Sequence, residues 1–222
     1  MKQALIGSHG TVGSTLLQHM LFDKVYNSHN IHQLCDCEFD RIVVAAPSGN
    51  RLMVNNNPEL DRANVQMLAQ AVAASACAHV MLISSVDAVA AKNTHYGAHR
   101  SWLEQQITST KPTTVLRLST LIGSQIKKNI LYDIKHSQFL HHINASAQTQ
   151  WCVLSDIPAL IRCAKPGAEV NVVSEPILHQ DIVQRYMPGI ELRQHNQGAV
   201  YDLRPYCYTK QEIFSAMDAY MQ

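Results

Sequence analysis

The sequence lacks a charge excess, a long apolar run and any repeat or low-complexity tract. Lys and Arg number 18 and Asp and Glu number 17, which gives a formal net charge of +1, whereas nucleic-acid-binding proteins are usually strongly basic. No apolar run reaches the roughly 18 residues that span a bilayer. The apolar run before Gly7 is too short for a signal peptide. We therefore expect a cytoplasmic protein that binds neither nucleic acid nor membranes.

The chain contains six cysteines and 12 histidines, so disulfides and metal sites have to be considered. A reducing cytoplasm favours free thiols over disulfides. His29, His32, Cys35 and Cys37 lie close together in the sequence, but Cys-x-Cys is an unusual spacing for zinc and no distant ligand pair accompanies it. We predict a polar loop in this segment and no metal site.

Apolar residues make up 46% of the chain, and their pattern alternates between that of buried strands and that of helices. Strands are predicted at Ala4–Ile6, Lys24–Asn27, Arg41–Ala46, His79–Ser84, Thr113–Leu118 and Glu169–Val173, with a further short strand from Trp151. Helices are predicted at Val12–Leu21, Pro58–Cys77, Tyr96–Ile107, Lys127–Ser137, Ile177–Tyr186 and Thr209–Met221, the last with Thr209 as its N-cap.

This alternation predicts an α/β fold with a Rossmann-type, doubly wound parallel sheet. About fifteen residues separate Val25 from Arg41, too few for a full crossover helix and another strand, so these elements should be abbreviated or missing. No linker divides the chain. We therefore predict one domain over residues 1–222, in which residues 124–150 and 168–205 form a small lobe.

Three glycines follow the first predicted strand and open the first helix, in the order Gly7, Gly10 and Gly13. This spacing is typical of a dinucleotide-binding turn, where one glycine permits the turn, one lets a pyrophosphate approach the backbone, and one lets the helix pack on the strand. The helix N-terminus then offers N–H groups to the phosphates. The alternative is an ordinary glycine-rich turn.

Two further groups of residues could carry chemistry. Ser84, Ser85 and Asp87 follow the strand that ends near Ile83, at the edge of the sheet where ligands bind in open α/β folds. Tyr96 and Arg100 lie four residues apart, on one face of a predicted helix, where a cation would stabilise the phenolate of a catalytic tyrosine. The alternative is a tyrosine at a helix start beside a surface arginine.

Taken together, these segments resemble the short-chain dehydrogenase/reductase superfamily, in its extended or atypical branch of NAD-dependent epimerases and dehydratases. The resemblance continues through further segments of the chain, at Val43–Pro47, Asp61–Val65, Leu116–Gly123 and Trp151–Ile157. It implies that Ser85 orients the substrate oxygen and that Tyr96 is the general acid/base. Arg100 takes the place of the family's lysine, which is a departure because arginine is larger and planar.

The resemblance also implies a set of binding residues. Those expected at the cofactor are Gly7, His9, Gly10, Thr11, Val12, Gly13, Asn27, Ser28, Ala45, Ala46, Pro47, Asn64, Ser84, Tyr96, Arg100, Leu118, Ser119 and Thr120. Those expected at the substrate are Ser85, Asp87 and Asn129. The end of the second strand carries neither the acidic residue typical of NAD enzymes nor a clearly basic one. The expected cofactor is NAD(P), with a slight preference for NADP.

The resemblance therefore implies an NAD(P)-dependent oxidoreductase or an epimerase/dehydratase that acts by hydride transfer on a hydroxyl or carbonyl carbon, with a nucleotide-linked sugar as substrate. One alternative is a catalytically silent NAD(P)-binding sensor or regulatory protein of the atypical type. Another is a protein that shares only the fold. The resemblance also implies a homodimer through the helices that contain Asn64 and Tyr96. Trp102 and Leu103 lie on the second of these helices, and Leu103 is expected in the core.

Overall fold

The computed structural model describes residues 1–190 and 201–222. The strands are β1 (Gln3–Ile6), β2 (Lys24–Tyr26), β3 (Glu38–Val44), β4 (Ala76–Ser85), β5 (Thr113–Leu118), β6 (Thr120–Ile122), β7 (Gln148–Thr149), β8 (Trp151–Val153), β9 (Glu169–Val172) and β10 (Ile177–Leu178). The helices are α1 (Thr11–His19), α2 (Arg51–Asn56), α3 (Pro58–Ala74), α4 (Asp87–Ala90), α5 (His95–Thr110), α6 (Ile130–Lys135), α7 (Ile157–Cys163), α8 (His179–Tyr186) and α9 (Lys210–Met221).

The chain divides into two compact units. The first contains Met1–Leu118 and Ser155–Val170, and the second contains Ser119–Leu154 and Asn171–Gln222. The lobe predicted from the sequence includes residues 191–200, which lie outside the described residues. The assignment of a single domain with a small lobe stays a prediction.

The main sheet has six strands in the order β2-β1-β3-β4-β5-β9, and the first five of these strands lie within the first unit. The pairs β1–β2, β1–β3, β3–β4 and β4–β5 are all parallel. Ala4–Ile6, Ile42–Val44 and Val80–Ile83 are buried along their whole length, as expected for strands covered by helices on both faces of a parallel sheet. The predicted Rossmann-type doubly wound fold is confirmed.

The segment between β2 and β3 is short, as the sequence predicts. It holds only a 3₁₀ helix at Ile31–Asp36, whose Ile31 and Leu34 are buried. These two side chains belong to the main apolar core together with Tyr26 and Phe39. A single 3₁₀ turn thus covers this part of the sheet in place of a full crossover helix.

The helix predicted at Pro58–Cys77 is three residues too long. Its last residue is Ala74, and Ser75 is extended, with its N–H and its hydroxyl both bonded to the carbonyl oxygen of Val72. Strand β4 therefore begins at Ala76, opposite Glu38 of β3, and not at His79 as predicted. The short helices α2 and α4 have no counterpart in the sequence prediction.

The second unit has its own apolar core. Strands β6 and β8 pair in parallel and β7 and β10 pair antiparallel, while Leu131, Trp151, Ile213 and Met217 are buried between these strands and the helices. The helix predicted from Ile177 starts at His179, because Ile177 and Leu178 pair with β7 as strand β10. Thr209 caps α9 in a capping box with Glu212, as predicted.

No helix within residues 1–190 and 201–222 has both the length and the apolar character that crossing a membrane would require.

Candidate functional site

The turn between β1 and α1 is closed by backbone contacts that require glycine at two positions. Gly7 has φ +93°, and a Cβ there would lie 2.6 Å from the carbonyl oxygen of Ala45. A Cβ at Gly13 would lie 2.1 Å from the carbonyl oxygen of Gly7. The first turn of α1 thus packs directly on the backbone of Gly7, and the fold itself demands both glycines.

Gly10 differs, because nothing in the fold requires glycine there. A Cβ at Gly10 would lie 3.5 Å from the Gly7 carbonyl oxygen, an ordinary contact, and its φ of −75° suits any residue. Gly10 is the N-cap of α1; no side chain caps the helix, and its first turn has no acidic residue. His9 beside it is exposed, and Thr11 and Val12 are half-buried. Uncapped N–H groups behind a residue without a side chain are suited to bind phosphate.

The strands on either side of β1 end beside this turn. The N–H of Gly7 donates to the carbonyl oxygen of Tyr26, the last residue of β2, at 2.9 Å. The N–H of Ala45, directly after β3, donates to the carbonyl oxygen of Ile6 at 2.8 Å. The residues that follow β2 and β3 therefore flank the glycine turn, where the sequence places them.

Asn27 and Ser28 begin a tight polar loop after β2. The Asn27 Oδ1 accepts the N–H of His29 at 2.8 Å, and the Asn27 N–H donates to Asn30 Oδ1 at 2.7 Å. Ser28 is exposed. After β3, Ala46 and Pro47 are half-buried, so small side chains line both approaches to the turn.

Ser84 is occupied by a contact within the first unit. Its hydroxyl donates to Glu104 Oε1 of α5 at 2.5 Å. The same carboxylate accepts two bonds from Arg117 Nε, at 3.0 Å each, and one from Arg117 Nη2, at 2.7 Å. Ser84 thus belongs to a buried network, and its role at the cofactor stays a prediction.

Ser85 and Asp87 are both buried at the start of α4. The Ser85 hydroxyl accepts the N–H of Asp87 at 3.2 Å, and a hydroxyl that accepts a bond can still donate its own proton. Asp87 Oδ2 lies 2.6 Å from Arg51 Nε of α2, whereas its buried Oδ1 has no hydrogen-bond partner. Burial raises the pKa of Asp87, and the charges of Arg51 and Arg100 act in the opposite direction.

Tyr96 and Arg100 make the contact that their spacing predicts. The guanidinium carbon of Arg100 lies 4.5 Å from the centroid of the Tyr96 ring. The Tyr96 N–H donates to Asn55 Oδ1 of α2 at 3.0 Å. A Cβ at Gly97 would lie 2.1 Å from the carbonyl oxygen of Ala91, so the start of α5 is closely packed. Arg100 is only 3% exposed, and the alternative of a surface arginine is wrong.

Asp61 of α3 joins this group, and the sequence analysis missed it. Its Oδ1 accepts a bond from Arg100 Nη2 and its Oδ2 lies by His99 Nδ1, each at 2.8 Å. Asp61 is 4% exposed and follows the spacing of the buried residues Val65 and Leu68. A carboxylate on the apolar face of a helix was the signal that could have found it.

The remaining predicted residues are divided between the two units. Asn64 and Leu118 belong to the first unit. Asn64 is exposed on α3. The carbonyl oxygen of Leu118 accepts the N–H of Val86 at 3.1 Å. Ser119, Thr120 and Asn129 belong to the second unit and form hydrogen bonds within it. The Ser119 hydroxyl donates to the carbonyl oxygen of Val172, and the Thr120 N–H donates to the carbonyl oxygen of Gln150. The Asn129 side chain donates to the carbonyl oxygen of Leu121 and caps the start of α6. Their binding roles stay predictions.

Among residues 1–190 and 201–222, no group of three or more His, Cys, Asp and Glu side chains could hold a metal ion.

No protein-family model matches the chain, and no curated protein matches it significantly. Solved bacterial structures share its fold. WbmG from Bordetella bronchiseptica, in complex with NAD and UDP, has a TM-score of 0.70 and 14% identity over 97% of this chain and 87% of that chain. WbmH from the same organism, in complex with NAD⁺, has a TM-score of 0.68 and 14% identity over 89% and 87%. The UDP-glucose 4-epimerase from Thermotoga maritima, with UDP-glucose, has a TM-score of 0.66 and 11% identity over 89% and 87%.

At these identities the similarity establishes the fold. The fold implied by the resemblance in the sequence is therefore confirmed: the chain has the fold of the Thermotoga maritima UDP-glucose 4-epimerase and of the NAD-bound WbmG and WbmH.

Proposed function

We propose that the chain binds a nicotinamide dinucleotide in its first unit and catalyses hydride transfer at a hydroxyl or carbonyl carbon of a nucleotide-linked sugar, as an oxidoreductase, epimerase or dehydratase. The observation that carries this proposal is the contrast among the three glycines. Gly7 and Gly13 are required by packing, whereas Gly10 has space for a side chain and still carries none. A phosphate at that place accounts for the missing side chain.

The residues of the turn fit a pyrophosphate. Thr11, Val12 and Gly13 would offer backbone N–H groups at the uncapped start of α1, with no acidic side chain in the first turn to repel an anion. The Gly10 N–H donates to the carbonyl oxygen of Gly7 at 3.2 Å, so Gly10 would contribute space for the phosphate. Solved proteins of this fold support the assignment, since WbmG and WbmH were determined with NAD or NAD⁺ and the Thermotoga maritima epimerase with UDP-glucose.

The nicotinamide, when bound, would supply the hydride donor or acceptor. In the proposed mechanism Tyr96 moves the matching proton to or from the substrate oxygen, while the Ser85 hydroxyl donates a hydrogen bond to that oxygen. Asp87 and Asn129 are proposed to contact the substrate. Asn27 and Ser28 present no carboxylate to a ribose hydroxyl, which supports the slight preference for NADP.

Gly10→Asp should weaken dinucleotide binding strongly without unfolding the chain. Asp is a favoured N-cap residue, so α1 should lose no stability. The new carboxylate would face the pyrophosphate at a few ångströms, where like charges repel by about 4 kcal/mol at an effective dielectric constant near 20. We expect the Kd of NADH or NADPH, measured by fluorescence titration, to rise about 100-fold or more.

Gly10→Asn is the matched control, because it has the same shape and N-cap preference without the charge. It should weaken binding less than Gly10→Asp does. Parallel titrations with NADH and NADPH also test the cofactor preference. If the parent chain and both variants bind a given coenzyme with the same Kd, the phosphate site is refuted. If the parent chain binds neither coenzyme, the proposed function is refuted.

Tyr96→Phe should lower turnover of UDP-glucose or UDP-galactose by a factor of about 10² to 10⁴, the usual contribution of a positioned acid/base. The Kd of the coenzyme should change by a much smaller factor, because the ring that contacts Arg100 remains. Equal turnover by both proteins would contradict the role of Tyr96. Tight coenzyme binding without turnover in the parent chain, across nucleotide sugars, would instead favour the silent sensor.

We further infer a homodimer formed through α3 and α5. Leu60 and Met67 are 61% and 39% exposed on α3, with Asn64 exposed between them, and no charged residue occurs from Ala63 to Ala74. An uncharged face is suited to pair with its own copy, since identical charges do not meet across the symmetry axis. Leu103 is in the core, as expected, and Trp102 is partly buried against it. A monomeric mass in sedimentation equilibrium would contradict this inference.

A further inference from the structure

The guanidinium of Arg100 is held by three neighbours. Its Nη2 donates to Asp61 Oδ1 at 2.8 Å and to the carbonyl oxygen of Ser48 at 3.0 Å, and its carbon lies 4.5 Å from the Tyr96 ring centroid. Its Nη1 is buried without a hydrogen-bond partner. Of these three neighbours only Asp61 carries a charge, so the carboxylate dominates the position of the cation.

The contacts of Arg100 Nη2 go to Asp61 and to Ser48. A guanidinium has donors that point in several directions, so it can turn on its side chain unless its partners hold it. The contact with Asp61 therefore holds the cation in the orientation in which it lies on the Tyr96 ring.

Asp61 is itself held in place. Its Oδ2 forms a hydrogen bond with His99 Nδ1 at 2.8 Å. Asp61 lies on α3, whereas His99 and Arg100 are consecutive residues of α5. The side chains of Asp61 and Arg100 are each 4% exposed. A carboxylate with both oxygens engaged and shielded from water has little freedom to reorient.

We propose that Asp61 is a positioning residue for the Tyr96–Arg100 pair: its carboxylate, fixed by His99, keeps the Arg100 guanidinium stacked on the Tyr96 ring. The catalytic consequence rests on the proposed function, whereas the structural arrangement does not. Asp61 acts through Arg100 and does not touch the reacting atoms. Lysine at position 100 could not use this arrangement in full, because an ammonium lacks the planar group that stacks and bonds sideways.

Nuclear magnetic resonance of the whole chain, with arginine labelled by ¹³C and ¹⁵N, measures the stack directly. The ring current of Tyr96 should shift the Arg100 side-chain signals, and the difference between the parent chain and Tyr96→Leu gives the size of that shift. In chains that also carry Asp61→Asn, we expect the difference in Arg100 chemical shifts between Tyr96 and Tyr96→Leu to be close to zero. His99→Leu removes the other bond of Asp61 and should reduce the shift in part, because Asp61 still bonds Arg100 but is no longer fixed by His99.

A full ring-current shift in folded Asp61→Asn would overturn the proposal, because Asp61 would then only stabilise the packing of α3 on α5. If Asp61→Asn does not fold, the spectrum of the parent chain still tests the proposal. An Arg100 guanidinium that is stacked and immobilised should show the ring-current shift and separate signals for its two Nη atoms. The absence of these signals would refute the proposal. With UDP-glucose, Asp61→Asn should lower kcat at least tenfold, a larger factor than the change in the Kd of NADH. If the parent chain does not bind NADH, the proposed function is refuted, whereas the spectroscopic result on the position of Arg100 stays valid.

Discussion

Gly13→Ala should destabilise the first unit severely. The added Cβ would lie 2.1 Å from the carbonyl oxygen of Gly7, 2.8 Å from its carbonyl carbon and 3.0 Å from the Cα of Ser8. All three neighbours are backbone atoms, so no side chain can rotate away to relieve the overlap. Overpacking typically costs about 1–3 kcal/mol and occasionally more, and we expect the upper end of that range or a chain that does not fold.

Thermal unfolding followed by circular dichroism measures this effect. For a chain of this size each kcal/mol corresponds to about 2–4 °C in Tm, so Gly13→Ala should unfold at least about 6 °C below the parent chain. Gly10→Ala is the matched control three residues away, since its Cβ would have no neighbour closer than 3.5 Å. Equal Tm values for the two variants would show that α1 does not pack on Gly7 as described.

The sequence predicts some features of the glycine turn and not others. The spacing of Gly7, Gly10 and Gly13 after a buried strand predicts the turn and its position in the fold. It cannot tell which glycine serves packing and which serves a ligand, because that depends on the distance from each Cβ to residues such as Ala45, far away in the sequence. Only the folded backbone separates the two roles.

The sheet is predictable because its signal is local. Continuous apolar runs such as Ile42–Val44 and Val80–Ile83 are typical of strands covered on both faces, and their alternation with helical patterns predicts the parallel sheet. Element ends depend on single contacts instead. Ser75 ends α3 by bonding Val72, and the pairing of Ala76 with Glu38 then extends β4 backwards. Nothing in the local sequence distinguishes these residues from another turn of helix.

Buried polar pairs are the hardest part of the site to predict, because each partner is distant in the sequence. Asp61 and Arg100 are 39 residues apart, and Arg51 meets Asp87 from the short helix α2. The resemblance assigns Tyr96 and Arg100 to one site but contains no information about the carboxylates that hold the arginine. Ser84 illustrates the opposite case, since its position favours a cofactor contact while Glu104 engages its hydroxyl.

The network around Arg117 is the second feature on which stability should depend strongly. Arg117 in β5 bonds Glu104 through two nitrogens, and its Nη2 also donates to Glu169 at the start of β9 at 2.6 Å. The side chains of Arg117 and Glu104 are 11% and 8% exposed, whereas that of Glu169 is 56% exposed. Burial lowers the pKa of Arg117, but its bonds to the two carboxylates outweigh this and leave it raised. The cation is thus compensated mainly by Glu104.

Glu104→Met should therefore destabilise the chain more than removal of the whole ion pair does. The single variant leaves the buried Arg117 cation with the largely exposed Glu169 as its charged partner. Breaking a buried pair costs about 3–5 kcal/mol, and we expect the lower end of that range. The double variant Glu104→Met/Arg117→Met replaces the pair by apolar side chains of similar length, which is often close to neutral. We expect chemical denaturation of the four proteins to give a free energy of unfolding that is lowest for Glu104→Met and largely restored in the double variant. If the two substitutions instead reduce stability additively, Glu104 and Arg117 do not compensate each other and the network does not hold β5 to α5.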